Sequence, residues 1–395
     1  MVNSTYHNSP LQLIATIWVM ACSAAFFLYA IANPLAEWDM LAYYASVEAL
    51  SNGDPYTIHD TVYGELESRV SAEKFEEISN GNHYRSVMHQ DPLAFYEQIP
   101  FYSIRISFNS LLEAVHRFGV SVYDAGHWVS ATAFVFSLLL LWGALNDRIH
   151  PVMQMMFPIM FYKYTMELDV VRQILADSLA SVWVVFMCMA YLRKSSLLLP
   201  VIALSVLVRV DLIIFSGLLL LLLMATEGKQ RFLSLSVCGA VLLACFLAVQ
   251  NWAGSYGWHT LYYFAIISDM MGTHPSVYGE IGFTLEEYLR ATFLTERWIS
   301  KMYVLTVALA VLTMIFWKSG QVTGFNRRMC RVSGICLLYI AIHYMIFPQM
   351  YFRFFVSQNL IIFAGFAVLC THFWQVYVGT VKQPEISTYN RDPKA

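Results

Sequence analysis

Residues 11–32, LQLIATIWVMACSAAFFLYAIA, run into Asn33-Pro34 and then into Glu37-Trp38-Asp39-Met40-Leu41-Ala42-Tyr43-Tyr44. As a helix the first stretch would be about 33 Å long, enough to cross a hydrocarbon core of about 30 Å. Pro34 stops it, because proline lacks the N–H that would continue the helix and restrains the residue before it. An acid, Asp39, therefore stands just beyond the membrane, in the first turn of a second helical stretch. Ala30-Ile31-Ala32 has the small-residue pattern of a cleavage site. The apolar region is too long for a signal peptide and no Lys or Arg precedes it, so the segment reads as a retained span.

The same pattern recurs along the chain. Apolar residues make up 58% of the sequence and charged residues only 13%, about half the charged content of a soluble domain. Further apolar runs occupy about 128–146, 151–166, 172–192, 231–251, 300–317, 331–347 and 354–377, and a thirty-residue run at 197–226 is interrupted by Arg209-Val210-Asp211. The chain is thus predicted to be an all-α polytopic membrane protein, one transmembrane domain over 1–395. The net charge is −3, and no nucleic-acid partner is expected. The seven cysteines lie in or beside apolar runs and in neither long loop, which points to packing rather than to disulfides or a zinc site.

Basic residues set the topology. They cluster at Arg148, at Arg193-Lys194, at Lys229 and Arg231, at Lys318 with Arg327, Arg328 and Arg331, and at Lys382. The positive-inside rule puts all of them in the cytoplasm. An even number of crossings then separates neighbouring clusters, so 197–226 is expected to be a hairpin of two short halves with Arg209 and Asp211 near its outer tip. Residues 98–118 carry apolar positions 101, 104, 108, 111, 112 and 115 on one helical face, with Arg105, Asn109, Glu113, His116 and Arg117 between them. This reads as an interfacial helix. The count is about ten crossings with both termini inside, long outer loops at 34–127 and 253–299, and a loose polar tail at 383–395. Between Pro34 and Pro100 the first loop holds twelve acids against Arg69, Lys74 and Arg85.

The chain has no P-loop, dinucleotide fingerprint, His-Glu-x-x-His or Gly-x-Ser-x-Gly motif. The residues able to carry chemistry are acids and arginines on the outer side. Asp39 suits a general base or a metal ligand at the membrane–water boundary; its plainer reading is a first-turn acid stabilised by the helix dipole. Glu167 and Asp169 form a second acidic site in an outer turn. Asp39 and Asp169 are the candidate oxygen ligands for a divalent cation. Arg209 and Asp211, ionisable in an apolar setting, read either as a functional site or as a mutual ion pair. Arg353, in Tyr351-Phe352-Arg353, suits a phosphate contact. His59, His83 and His89 lack metal-ligand spacing and read as surface residues. The aromatic stretch Trp252–Phe264 reads as an interface belt.

Together these features resemble the C-type (GT-C) membrane glycosyltransferases, the superfamily of lipid A aminoarabinose transferases, protein mannosyltransferases and bacterial arabinofuranosyltransferases. The likeness rests on the large first outer loop and on a few short motifs: Trp38-Asp39-x-x-x-Tyr43-Tyr44, Glu167-x-Asp169, Leu207-Val208-Arg209-Val210-Asp211 and Tyr351-Phe352-Arg353. The chain departs from the family's Asp-Glu dipeptide, since Trp38 separates Glu37 from Asp39. The resemblance implies transfer of a sugar from a polyprenyl-phosphate donor to a lipid, glycan or protein acceptor on the non-cytoplasmic face of a bacterial inner membrane. Asp39, Glu167 and Asp169 would be catalytic, and Arg105, Arg209 and Arg353 would hold the donor phosphate. The rival reading is a transporter or lipid flippase, which often shows internal repeats and broken helices; the sequence shows no repeat. A third is a non-catalytic membrane assembly protein, in which Asp39, Glu167 and Asp169 would each be dispensable.

Overall fold

The computed structural model of the chain describes residues 9–166, 169–227, 231–268, 273–280, 282–294, 306–309, 311–312, 315, 324–348 and 352–381. Every regular element among them is helical. Helix α1 (Pro10–Ala32) starts with Pro10 in its first turn, where the missing N–H costs nothing, and Ser9 caps it by accepting from the Gln12 N–H. It stops at Asn33, before Pro34.

The first loop folds into seven short helices, α2 (Trp38–Glu48), α3 (Pro55–Arg69), α4 (Ala72–Asn80), α5 (His83–Gln90), α6 (Pro92–Tyr96), α7 (Ile99–Ser103) and α8 (Ile106–Arg117). Asp54, Ser71, Asn82 and Asp91 each accept a backbone N–H at a helix start, the polar caps that short helices in succession require. Leu41, Ile58, Val62, Phe95, Phe108 and Leu112 are fully buried between these helices, in a core that continues to Ala125, Ile174 and Ala176. The loop is therefore a packed cap with a core of its own. The amphipathic stretch 98–118 is split into α7 and α8 at Ile104-Arg105; the twelve residues of α8 reach only about 18 Å. His59, expected at the surface, is instead 8% exposed. The packing of α3 on α6 encloses it among Tyr63, His89 and Phe95.

The bundle proper consists of α9 (Val122–Leu145), α10 (Pro151–Phe161), α11 (Ala176–Leu192), α12 (Leu198–Val208), α13 (Leu212–Glu227) and α14 (Phe232–Trp252). After the short α15 (Gly257–Tyr262) and α16 (Leu285–Leu289) come α17 (Gly324–Ile346) and α18 (Val356–Val381). Five segments are long and apolar enough to cross a membrane: Pro10–Ala32, Val122–Leu145, Phe232–Trp252, Gly324–Ile346 and Arg353–Val376; α10, α11, α12 and α13 are shorter apolar helices. This is an all-helical membrane protein. The 353–376 span is 83% buried and central, whereas the α1 and α14 spans are 22% buried, leaving their outer faces to lipid. The run 300–317 and the tail 383–395 lie wholly or mostly outside the described residues.

The two halves of 197–226 turn back on each other. Ser205 Oγ and Ser216 Oγ are 2.7 Å apart, whereas eleven residues of unbroken helix would separate them by about 16 Å. The bundle has two chemically distinct ends. At one, Glu97 of the first loop accepts from the Ser276 N–H at 3.1 Å and Oγ–H at 2.6 Å, and Phe101 stacks on Phe264 of the second loop. At the other, Arg328 Nε donates to the Leu192 carbonyl at 3.0 Å and Arg148 lies over the Phe325 ring.

Candidate active site at the loop end

The site begins where α12 breaks. Arg209 caps α12 in an extended conformation, φ −159° and ψ 125°. In a continuous helix residues two apart lie on opposite faces. Here the opened backbone lets Arg209 grip Asp211 through Nε and Nη2, both at 2.6 Å. Arg209 Nη1 also donates to Asp177, in the first turn of α11. The Arg209 and Asp177 side chains are 8% and 7% exposed, so each depends on the other for its charge to be tolerated. Asp211 accepts further from Tyr339 Oη at 2.7 Å and lies 3.4 Å from His343 Nε2. The pair read from the sequence is thus part of a larger network.

Asp177 leads on to Arg353. The Arg353 Nε is 4.0 Å from Asp177 Oδ2, and its Nη1 is 2.6 Å from Asp39 Oδ2. Phe354 receives both guanidinium groups, with Arg209 at 5.1 Å and Arg353 at 5.4 Å from its ring centroid, a cation–π arrangement. The result is a line of alternating charge, Asp39–Arg353–Asp177–Arg209–Asp211. It runs from the first loop into the bundle.

Asp39 is the end of that line contributed by the first loop, and Asp211, at the other end, is 21% exposed. The side chains of Asp39 and Arg353 are each 24% exposed. The Asp39 carboxylate accepts no hydrogen bond from the backbone of α2; it accepts from Tyr102 Oη at 2.7 Å. Asp39 lies in the first turn of α2, where the helix dipole favours its charge, and its hydrogen bond and ion pair lead away from that helix. Burial alone would raise the Asp39 carboxyl, but Arg353, the Tyr102 hydrogen bond and the nearby Arg105 outweigh it and hold it below the usual carboxylate range. Arg105 is positioned over the rings of Tyr43, at 5.6 Å, and Tyr102, at 5.1 Å, and donates to the Phe101 carbonyl.

The structure thus gathers Asp39, Arg105, Arg209 and Arg353. It does not add Asp169 to them. Asp169 sits in the left-handed region at φ 55° and pairs with Arg172 at 2.7 Å, while Arg172 Nε donates to the Asn33 carbonyl at 2.6 Å. That clamp fastens the turn before α11 to the exit of α1. Glu167 lies outside the described residues. Among the described residues no three His, Cys, Asp or Glu side chains converge as a metal site. All seven cysteines are free.

Sequence reasoning missed Asp177, Tyr102, Tyr339 and His343. Asp177 had a readable signal, an acid inside the apolar run 172–192. Comparison of the chain with protein-family models, curated proteins and solved structures finds no match.

Proposed function

We propose that the protein is a membrane glycosyltransferase that moves a sugar from a polyprenyl-phosphate donor to an acceptor hydroxyl at the loop end of the bundle. One observation carries the reading: a partly exposed carboxylate, Asp39, is held 2.6 Å from an arginine at the mouth of a membrane domain. An acid and an arginine side by side suit a reaction that takes a proton from one oxygen while a phosphate leaves with another. The acceptor oxygen bonds to the anomeric carbon as the bond from that carbon to the phosphate oxygen breaks. The phosphate keeps the electron pair and binds Arg353, and the acceptor proton passes to Asp39. Arg105, close enough to Asp39 to lower its carboxyl, adds positive charge, and Arg209, paired with Asp177 and Asp211, holds Asp177 in place beside Arg353.

A carboxyl held low is a poor base, because general-base efficiency falls as pKa drops away from the working pH. The donor remedies this: a phosphate that competes for Arg353 removes the partner that depresses Asp39, so the base gains strength when substrate is present. Asp169 supports the outer turn in this scheme, and a divalent cation recruited by Asp39 or Asp169 would need further ligands from the substrate.

The full topology belongs to the same proposal. Ten crossings, a count that includes the apolar run 300–317 of the sequence, would put the basic end in the cytoplasm and the site on the outer face of a bacterial inner membrane. A second reading, a transporter or flippase, draws on the broken α12–α13 hairpin with its buried charges, a feature of transporter binding sites. The deciding experiment presents polyprenyl-phosphate sugars and lipid, glycan and peptide acceptors to the purified protein in detergent, where no closed compartment exists. Release of polyprenyl phosphate coupled to acceptor glycosylation supports the transferase. No release from any donor, together with lipid movement across sealed vesicles, supports the transporter.

A further inference from the structure

We infer that the basic end of the bundle holds a separate binding site for a phosphate-bearing anion at the membrane surface. A cavity of about 280 Å³ opens between the ends of α9, α11 and α17, lined by Asp147, Arg148, Arg193, Lys194, Phe325 and Arg328. That is close to the lower limit of small-ligand pockets, about 300 Å³, a size for a head group rather than a whole lipid.

Two of the four cations have structural work. Arg328 is tied to the Leu192 carbonyl, and Arg148 lies over Phe325 and 3.2 Å from Asp147. Arg193 and Lys194 do not: among the described residues neither side chain makes a hydrogen bond or ion pair. They close α11 in a Schellman turn, with the Ser195 N–H on the Ala190 carbonyl and the Lys194 N–H on the Tyr191 carbonyl. The left-handed position of that turn ordinarily carries glycine. Here Lys194 fills it, at φ 55°, against a steric cost that glycine avoids. A cationic side chain thus stands where the backbone alone would favour glycine.

Helix dipoles do not account for the charge. The carboxyl ends of α9 and α11 present roughly half a negative charge each, and Asp147 adds one. The four cations exceed that total by about two charges, the complement of a phosphate group. The spans end here, so the cavity meets the bilayer boundary, and Leu197 beside it in sequence is 54% exposed. Basic pockets between transmembrane helices bind anionic head groups by this logic. The inference is independent of the reaction proposed above.

The test uses the full chain in detergent and counts retained lipid by native mass spectrometry. Phosphatidylglycerol is expected to be retained about tenfold over phosphatidylcholine, and the Arg193→Gln/Lys194→Gln variant to weaken that retention about ten- to thirtyfold. Arg231→Gln, away from the cavity, is expected to retain lipid as the wild type does. Lys194→Gly guards against a folding artefact: it relieves the left-handed strain, so it should keep or raise thermal stability while still weakening binding. Displacement of the lipid by millimolar inorganic phosphate would assign the site to the soluble anion. Equal retention of the two lipids with no phosphate binding, or undiminished binding in both Lys194 variants, would overturn the site.

Discussion

Replacing Asp39 by Asn separates chemistry from architecture. Asn keeps the size of Asp and can still accept from Tyr102, whose hydroxyl is 2.7 Å away. It cannot neutralise Arg353, 2.6 Å away, or take up a proton. Breaking a fully buried ion pair costs about 3–5 kcal/mol, while an exposed pair contributes at most about 1 kcal/mol. Both side chains here are 24% exposed and Arg353 retains Asp177 at 4.0 Å, so the expected loss of stability is about 1–2 kcal/mol. Loss of a general base costs about 10²- to 10⁴-fold in rate, equivalent to about 3–5 kcal/mol of barrier. The activity loss should therefore exceed the stability loss. Transfer from a polyprenyl-phosphate sugar and thermal unfolding, measured on the same detergent preparation, decide it. Wild-type activity in the variant would falsify the base assignment, and unchanged stability would refute the ion-pair argument. The pH dependence adds a check. A carboxyl whose folded pKa is depressed contributes stability above its ordinary pKa of about 4, and that contribution fades as pH falls through the lower folded value. The stability gap between wild type and Asp39→Asn should accordingly be full at neutral pH and shrink below about pH 4.

Arg209→Met strands Asp177 and Asp211 and should destabilise by about 3–5 kcal/mol, with Asp177→Asn in the same chain restoring part of the loss in thermal unfolding. Ser205→Cys with Ser216→Cys should oxidise to an internal disulfide detectable by peptide mass spectrometry, because the parent oxygens are 2.7 Å apart; two thiols that stay free under oxidant would argue against the hairpin. Gly126→Ala places a methyl 2.6–2.9 Å from three Ile174 side-chain atoms and should lower stability by about 1–3 kcal/mol, read as a reduced melting temperature. In a cysteine-free background, Phe118→Cys, at a position 89% exposed, should be labelled from the exterior and Arg193→Cys only after permeabilisation; labelling of both from one side would refute the topology.

The sequence made the apolar spans readable because length and composition report membrane crossing directly. It also made Arg209 and Asp211 visible, because charge in an apolar setting demands a partner. The hairpin followed from charge parity, and the Ser205–Ser216 contact agrees with it. Two things were not readable. The cap formed by α2–α8 depends on long-range packing among short helices, and α3, which carries His59, has little periodicity of its own, which is why His59 was misplaced at the surface. The partners Asp177, Tyr102 and His343 come from α11, α7 and α17, so only tertiary structure brings them to Arg209, Asp39 and Asp211. Asp169 was visible as an acid in its turn, but its ion pair with Arg172, 2.7 Å away, was not.

The line Asp39–Arg353–Asp177–Arg209–Asp211 has an evolutionary consequence. Each interior member serves two neighbours, so losing any one leaves a charge stranded in a medium that does not forgive it. Drift at these positions is blocked one step at a time and permitted only through compensating double changes. In a family of such chains, Arg353 with Asp177, and Arg209 with Asp177, would be lost or reversed together. The signature to seek is correlated replacement across α11, the α12–α13 break and the start of α18, even where each position taken alone looks variable.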